Sequence, residues 1–239
     1  MSTLTLVRHA QASFFADEYD QLSAVGQQQA RLLGEYWVRC KLQFDEVYVG
    51  PRQRHQQTAA AVTAVFQEAG LSYQEPVVVD ELDEYDLSGI LTCLAPNLAH
   101  NNREFAALME RQRHGATPEE QARNFQRMFE PLMLHWLSAG DLCDGVESWT
   151  AFRARVERGL KRMTDSPTRG RRVVAFSSGG FIGTAVQTVL GAPDRTALEL
   201  NWRIRNTALT EFVFTRGRVT LDVFNSIAHL ADPAMVTYR

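Results

Sequence analysis

Short apolar runs alternate with helically spaced apolar positions over the first 80 residues. Thr3–Val7 is the first run, and its length and its Leu and Val content predict a β-strand. A polar loop with Asp17-Glu18-Tyr19-Asp20 follows. Ala30, Leu33, Trp37 and Val38 then recur near helical spacing and predict a helix from about Ser23 to Arg39. Ser23 is its expected N-cap, since a hydroxyl accepts from the free amides of a first turn. Phe44–Val49 predicts a second strand. Arg52 to Ala69 predicts a second helix closed by Gly70, and Pro76–Val79 a third, shorter strand.

From about Leu87 to Ser166 the pattern changes and holds no convincing strand. Arg103–His114, Pro118–Ala139 and Ser148–Met163 predict helices, the second bent or divided at Pro131, whose ring removes a backbone donor. Arg172–Ser177 predicts a buried strand and Gly180–Leu190 the helix after it. Thr207–Phe214 and Val219–Phe224 predict a final antiparallel pair, turning at Arg216-Gly217. The pattern implies an α/β fold in which residues 1–239 form a single domain, with a helical cap insertion at about 87–145.

A chain of 239 residues with 45% hydrophobic and 22% charged residues can bury one large core. Its net charge of −3 argues against general nucleic-acid binding. No segment approaches the roughly 18 apolar residues of a membrane helix, so no membrane partner is expected. Cys40, Cys93 and Cys143 are odd in number and include no CxxC. Reduced thiols and a cytoplasmic location are therefore expected. No His, Cys and carboxylate residues cluster at ligand spacing, so neither a metal nor a cofactor is expected.

The candidate chemistry begins where the first strand ends, at Arg8-His9. Arginine brings a permanent charge in a planar fork that matches phosphate oxygens. Histidine brings a nucleophilic nitrogen that is neutral near pH 7. Alone, such a dipeptide is more often an ordinary surface pair. Likewise Arg54 alone reads as a solvated helix residue. Asp80, Glu81, Asp83, Glu84 and Asp86 form an acidic stretch that by itself singles out none of them. Ser178-Gly179-Gly180 lies between a strand and a helix, where backbone amides and the helix dipole favour an anion. Ser178-x-Gly180-x-x-Gly183 is also a degraded dinucleotide fingerprint, lacking its first glycine and the later acid.

Arg8-His9 after a first strand resembles the signature of the histidine phosphatase (phosphoglycerate mutase-like) superfamily. Four further segments resemble it in order: Leu22 to Ala30, Val47 to Ala59, Leu82 to Leu87, and Val173 to Ile182. The resemblance implies a three-layer sandwich, with a mostly parallel central sheet flanked by helices and a helical cap. It implies that His9 is the nucleophile, that Arg8 and Arg54 bind the phosphoryl group, and that Glu84 is the acid for the leaving oxygen. A carboxyl beside phosphate keeps its proton more readily, which suits that last role. Three positions depart from the family's pattern. Ala10 replaces a glycine, Ala12 stands where a threonine or serine is usual, with Ser13 one place later, and Ser178 stands where a second catalytic histidine is usual. None of the other five histidines, His55 included, falls in a segment that matches that position.

The function expected from this resemblance is hydrolysis of phosphate monoesters through a phosphohistidine on His9. Ser178, with Gly179, would bind the substrate phosphate but bring no positive charge, which attenuates turnover. Restoring histidine at 178 is expected to raise activity by up to roughly 10²-fold, by analogy with loss of an oxyanion donor. A phosphorylated small molecule is the expected partner. The main alternative is a non-catalytic phospholigand-binding protein on the same fold, which Ser178 favours and intact Arg8, His9, Arg54 and Glu84 oppose. A phosphoglycerate mutase ranks below both. The natural substrate, the role of the cap and the oligomeric state are open from sequence.

Overall fold

The computed structural model describes residues 1–12, 20–114, 117–140 and 144–238. Among them six strands form one sheet in the order β3-β2-β4-β1-β5-β6. The strands are β1 (Ser2–Arg8), β2 (Glu46–Val49), β3 (Val77–Val78), β4 (Arg172–Ser177), β5 (Leu209–Thr215) and β6 (Arg218–Ser226). β1, β2, β3 and β4 are mutually parallel, whereas β5 runs antiparallel to both β1 and β6. The helices are α1 (Ala24–Arg39), α2 (Gln53–Glu68), α3 (Leu87–Gly89), α4 (Ala95–Asn101), α5 (Arg103–Arg113), α6 (Pro118–Ala139), α7 (Trp149–Thr164), α8 (Gly179–Leu190) and α9 (Asp194–Asn201). The α/β class and the mostly parallel sheet flanked by helices are thus as expected.

Two compact units divide the chain: Met1–Glu84 with Arg155–Arg239, and Tyr85–Ala154. In the first, the central strands are buried on both faces, as parallel strands covered by helices must be. Val7, Val47, Val49, Val174 and Phe176 pack with Leu33 and Trp37 of α1 and Val62 and Phe66 of α2. Leu4, Leu6, Val173 and Ala175, one position out of phase, face the opposite layer, which holds α8. Ser23 caps α1 as expected, accepting from Gly26 N. The second unit is helical. Its core packs Tyr85, Trp136, Trp149 and Phe152 at tilted and edge-on angles, with ring centroids 5.4 to 6.0 Å apart. The Trp136 indole donates to Glu147 O at 3.0 Å.

Some elements differ from expectation for identifiable reasons. α6 runs unbroken past Pro131. Residues 87–101 are helical but contain a π-helical segment, Ile90–Leu94, whose wider turn breaks the 3.6-residue period that reveals a helix in sequence. α9 has eight residues, about two turns, and offers too few apolar repeats to stand out. Cys93 is disulfide-bonded while Cys40 is a free, exposed thiol. This corrects the expectation of three reduced thiols: a disulfide needs proximity in space, not CxxC spacing. Cys143 and Ser13 lie outside the described residues. Among the described residues, no helix is long and apolar enough to cross a membrane.

Gly26 shows how tightly α1 supports the chain beyond His9. A Cβ there would fall on the Gln11 carbonyl, in a segment also held by Ser23 N donating to Gln11 O at 2.9 Å. Gly26→Ala is therefore expected to destabilise the fold by about 1–3 kcal/mol, as overpacking does. Urea unfolding checks this: the midpoint should fall with an unchanged slope.

Candidate active site

The site is assembled by the pairing of β1 with β4. Arg8 lies opposite Ser177, so His9 and Ser178 leave the sheet side by side at the C-terminal strand ends. His9 N donates to Ser177 O at 2.8 Å and continues the ladder one residue past the strand. Parallel sheets open their crevices at this edge.

The His9 ring is buried, with Nδ1 2.7 Å from the Ala10 carbonyl. A carbonyl only accepts, so Nδ1 carries the proton and Nε2 keeps its lone pair. Burial, then the charges of Arg54 and Arg8 and the neighbouring His55, holds the His9 pKa well below the ordinary imidazole value. The ring is therefore neutral at pH 7, as a nucleophile must be. Ala10 N donates to Thr58 Oγ1 at 3.0 Å, and that hydroxyl donates to Arg54 O at 2.6 Å. One threonine of α2 thus ties the His9 turn to the start of that helix.

Arg54 occupies the first turn of α2 and is buried. Its Nη1 pairs with Asp20 Oδ1 at 2.6 Å, and Asp20 Oδ2 accepts from Gln53 N at 2.8 Å. Its Nη2 reaches Ser178 Oγ at 3.4 Å, a long contact. Arg8 donates through Nη1 to the Ile204 carbonyl. Both guanidinium groups are near enough to His9 to disfavour its cation.

The acidic stretch separates into distinct tasks. Asp83 pairs with Arg52 at 2.6 Å, Glu81 with Arg162 at 3.6 Å, and Asp86 caps Gly89 N at 2.9 Å. Glu84 Oε2 instead accepts from Gly180 N at 3.2 Å, in the first turn of α8. Arg155 supports this from behind, donating to the carbonyls of Asp83 at 2.8 Å and Glu84 at 3.3 Å. The Gly180 amide, expected to be open to an anion, is engaged by that carboxylate. Gly179 and Gly183 have packing roles: a Cβ on either would collide with α9, at Asn201 Oδ1 or Ala197 O. Helix contact thus accounts for Gly183 of the degraded dinucleotide fingerprint.

Ser178 is fully buried, and its hydroxyl lies 2.7 Å from His55 Nε2. Nothing in the sequence pattern singles out His55; the one signal is its place beside Arg54 on the first turn of α2. Its ring is 5.7 Å from that of His9. Gly50 makes the room, since a Cβ there would strike the His55 ring. Burial, then Arg54 and Arg52, keeps the His55 pKa well below the ordinary value. A histidine at 178 directed the way the Ser178 hydroxyl points would meet the His55 ring, which bears on the gain expected there. Asp20 is the other partner that the sequence does not reveal. Among the described residues no cluster of His, Cys, Asp and Glu could hold a metal ion.

The model of the histidine phosphatase superfamily (branch 1) matches residues 4–133 and 102–227. No curated protein matches the sequence. Solved structures of similar fold include a phosphoserine phosphatase from Entamoeba histolytica bound to 3-phosphoglyceric acid, at 20% identity and TM-score 0.61, covering 96% of this chain and 100% of that one. A mycobacterial glucosyl-3-phosphoglycerate phosphatase matches at 18% identity and TM-score 0.61, covering 95% and 100%. The α-ribazole phosphatase from Shigella flexneri matches at 20% identity and TM-score 0.60, covering 94% and 96%. At these identities the likeness is one of fold.

The buried histidines set how stability depends on pH. His9 and His55 titrate well below 6.5, and burial pushes His229 to about 4. As pH falls through the ordinary imidazole value, the unfolded chain takes up these protons first. Stability should be full above that value and decline below it, by about 1.4 kcal/mol per pH unit for each histidine until the folded form also protonates. Urea unfolding between pH 8 and 5 should show this decline, with a shallower slope in His55→Gln. A flat profile would contradict it.

Proposed function

The chain belongs to the histidine phosphatase superfamily, branch 1, and from that premise we propose that it hydrolyses phosphate monoesters of small molecules through a phosphohistidine on His9. The observation that carries the reading is the neutral His9 ring, its lone pair on Nε2, beside two arginines at the end of a parallel sheet. Nε2 attacks phosphorus as the bond to the leaving oxygen breaks. Arg8 and Arg54 hold the transferring oxygens with charge-assisted hydrogen bonds. Glu84 delivers a proton to the leaving oxygen. Water then attacks phospho-His9, Glu84 takes a proton from that water, and phosphate and free His9 result. Charge is supplied by arginine, so the reading requires no metal.

Ser178 in place of the family's usual second histidine predicts a slow enzyme. The same feature favours a second reading, a non-catalytic protein that binds phosphorylated ligands. The fold neighbours act on phosphoserine, α-ribazole phosphate and a glucosylated phosphoglycerate by their names, which supports a small phosphorylated metabolite for either reading.

Wild-type protein should hydrolyse nitrophenyl phosphate equally with and without chelator, and His9→Ala should abolish turnover. A screen of phosphorylated metabolites with His9→Ala as blank would identify the substrate. Phosphate binding without turnover would select the binding-protein reading.

Glu84→Gln should slow substrates with poor leaving groups by about 10²- to 10⁴-fold, while nitrophenyl phosphate is affected far less, because nitrophenolate leaves without a proton. Equal losses on both would assign Glu84 another role.

A further inference from the structure

Gln29 lies on the inward face of α1 and is fully buried, yet it has no part in the steps above. A buried amide is costly unless its hydrogen bonds are made. The two ends of this one serve different parts of the chain. Oε1 accepts from Gln11 N at 2.9 Å, while Nε2 donates to Met235 O and to Thr237 Oγ1, each at 2.8 Å. A backbone N–H only donates and a carbonyl only accepts, so the amide has a single orientation. Gln11 N–H shares its peptide plane with the Ala10 carbonyl. Among the described residues no peptide bond is cis, and in a trans peptide N–H and C=O point to opposite sides. Holding Gln11 N–H against α1 therefore turns the Ala10 carbonyl the other way, where it lies 2.7 Å from His9 Nδ1. That carbonyl keeps the ring proton on Nδ1 and the lone pair on Nε2.

The preceding peptide plane is held as well. Asn206 Nδ2 donates to His9 O, and Ala10 N to Thr58 Oγ1, both at 3.0 Å. Thr237 joins the two planes: its hydroxyl accepts from Gln29 and donates to Asn206 Oδ1 at 2.8 Å. The protons of this chain run one way, from Gln29 through Thr237 and Asn206 to His9 O.

We propose that Gln29 is a positioning residue for His9: by fixing the Ala10–Gln11 peptide plane it aims the Ala10 carbonyl at Nδ1 and so holds the ring in the tautomer whose Nε2 can attack. Met235 and Thr237, near the end of the chain, lock the amide in the orientation this requires. The proposal rests on the reading of His9 as the nucleophile, but its test does not depend on turnover.

Imidazole ¹⁵N NMR of the full wild-type chain reads the His9 tautomer directly. The proton should sit on Nδ1, and the Gln11 amide should be protected from hydrogen exchange. In Gln29→Met, which keeps the bulk of the side chain without its polar ends, the ratio of Nδ1–H to Nε2–H at His9 should fall by roughly 3- to 10-fold, what one ordinary hydrogen bond supplies. Gln29→Glu, held neutral by burial, keeps an acceptor for Gln11 N–H and a donor for Met235 O, so it should retain most of the wild-type ratio. A Gln29 that only stabilises the fold would lower the unfolding midpoint of Gln29→Met and leave the ratio unchanged, and that outcome would overturn the proposal. A His9 proton on Nε2, or rapid exchange of the Gln11 amide, in the wild type would overturn it without any variant. Should Gln29→Met fail to fold, those two wild-type measurements and the ratio in Gln29→Glu decide. A shifted ratio in a chain without turnover supports this proposal and removes the phosphatase reading. Turnover through His9 with an unchanged ratio does the reverse.

Discussion

The parallel pairing of β1 with β4 is the constraint on which the rest depends. It lies at the middle of the sheet, with both faces covered, so its hydrogen bonds are shielded and its register is held by packing on two sides. That register puts His9 and Ser178 next to each other. Every other contributor is placed relative to this edge. α2 brings Arg54 and His55, the turn after β3 brings Glu84, and the first turn of α8 receives the Glu84 carboxylate. A shift of one residue between β1 and β4 would turn His9 to the wrong face.

The electrostatics follow from burying two rings among cations. Burial is the larger cause, and Arg54 with Arg8 near His9, and Arg54 with Arg52 near His55, add to it, so both imidazoles stay neutral at pH 7. On the proposed reading, a dianionic phosphate would offset the guanidinium part of that balance but not the part that comes from burial. Asp20 supplies part of the counter-charge for Arg54. On the proposed reading, that carboxylate holds an arginine that a phosphoryl group would also seek.

Most of the frame was legible because its signals are local. β4 matches its expected limits, and β1, α1, α2 and α8 match within a residue or two, because each carries the period of its own element. Residues 87–101 were not legible, because a π-helical segment shifts the period midway. His9, Arg8, Arg54 and Glu84 could be named from motif resemblance. The partnership of His55 with Ser178 could not be named. It joins positions 123 apart in sequence, and neither residue type alone implies the other. The same holds for Asp20, whose tie to Arg54 exists only once α2 is packed in place.

Gly50, His55 and Ser178 interlock so closely that their mutational effects should be epistatic. A side chain at 50 would strike the His55 ring, and a ring at 178 pointed along the Ser178 hydroxyl would meet it too. What position 178 can hold therefore depends on what stands at 55, and what 55 can hold depends on 50. The order in which substitutions arrive would bear on which of two imidazole placements a lineage keeps.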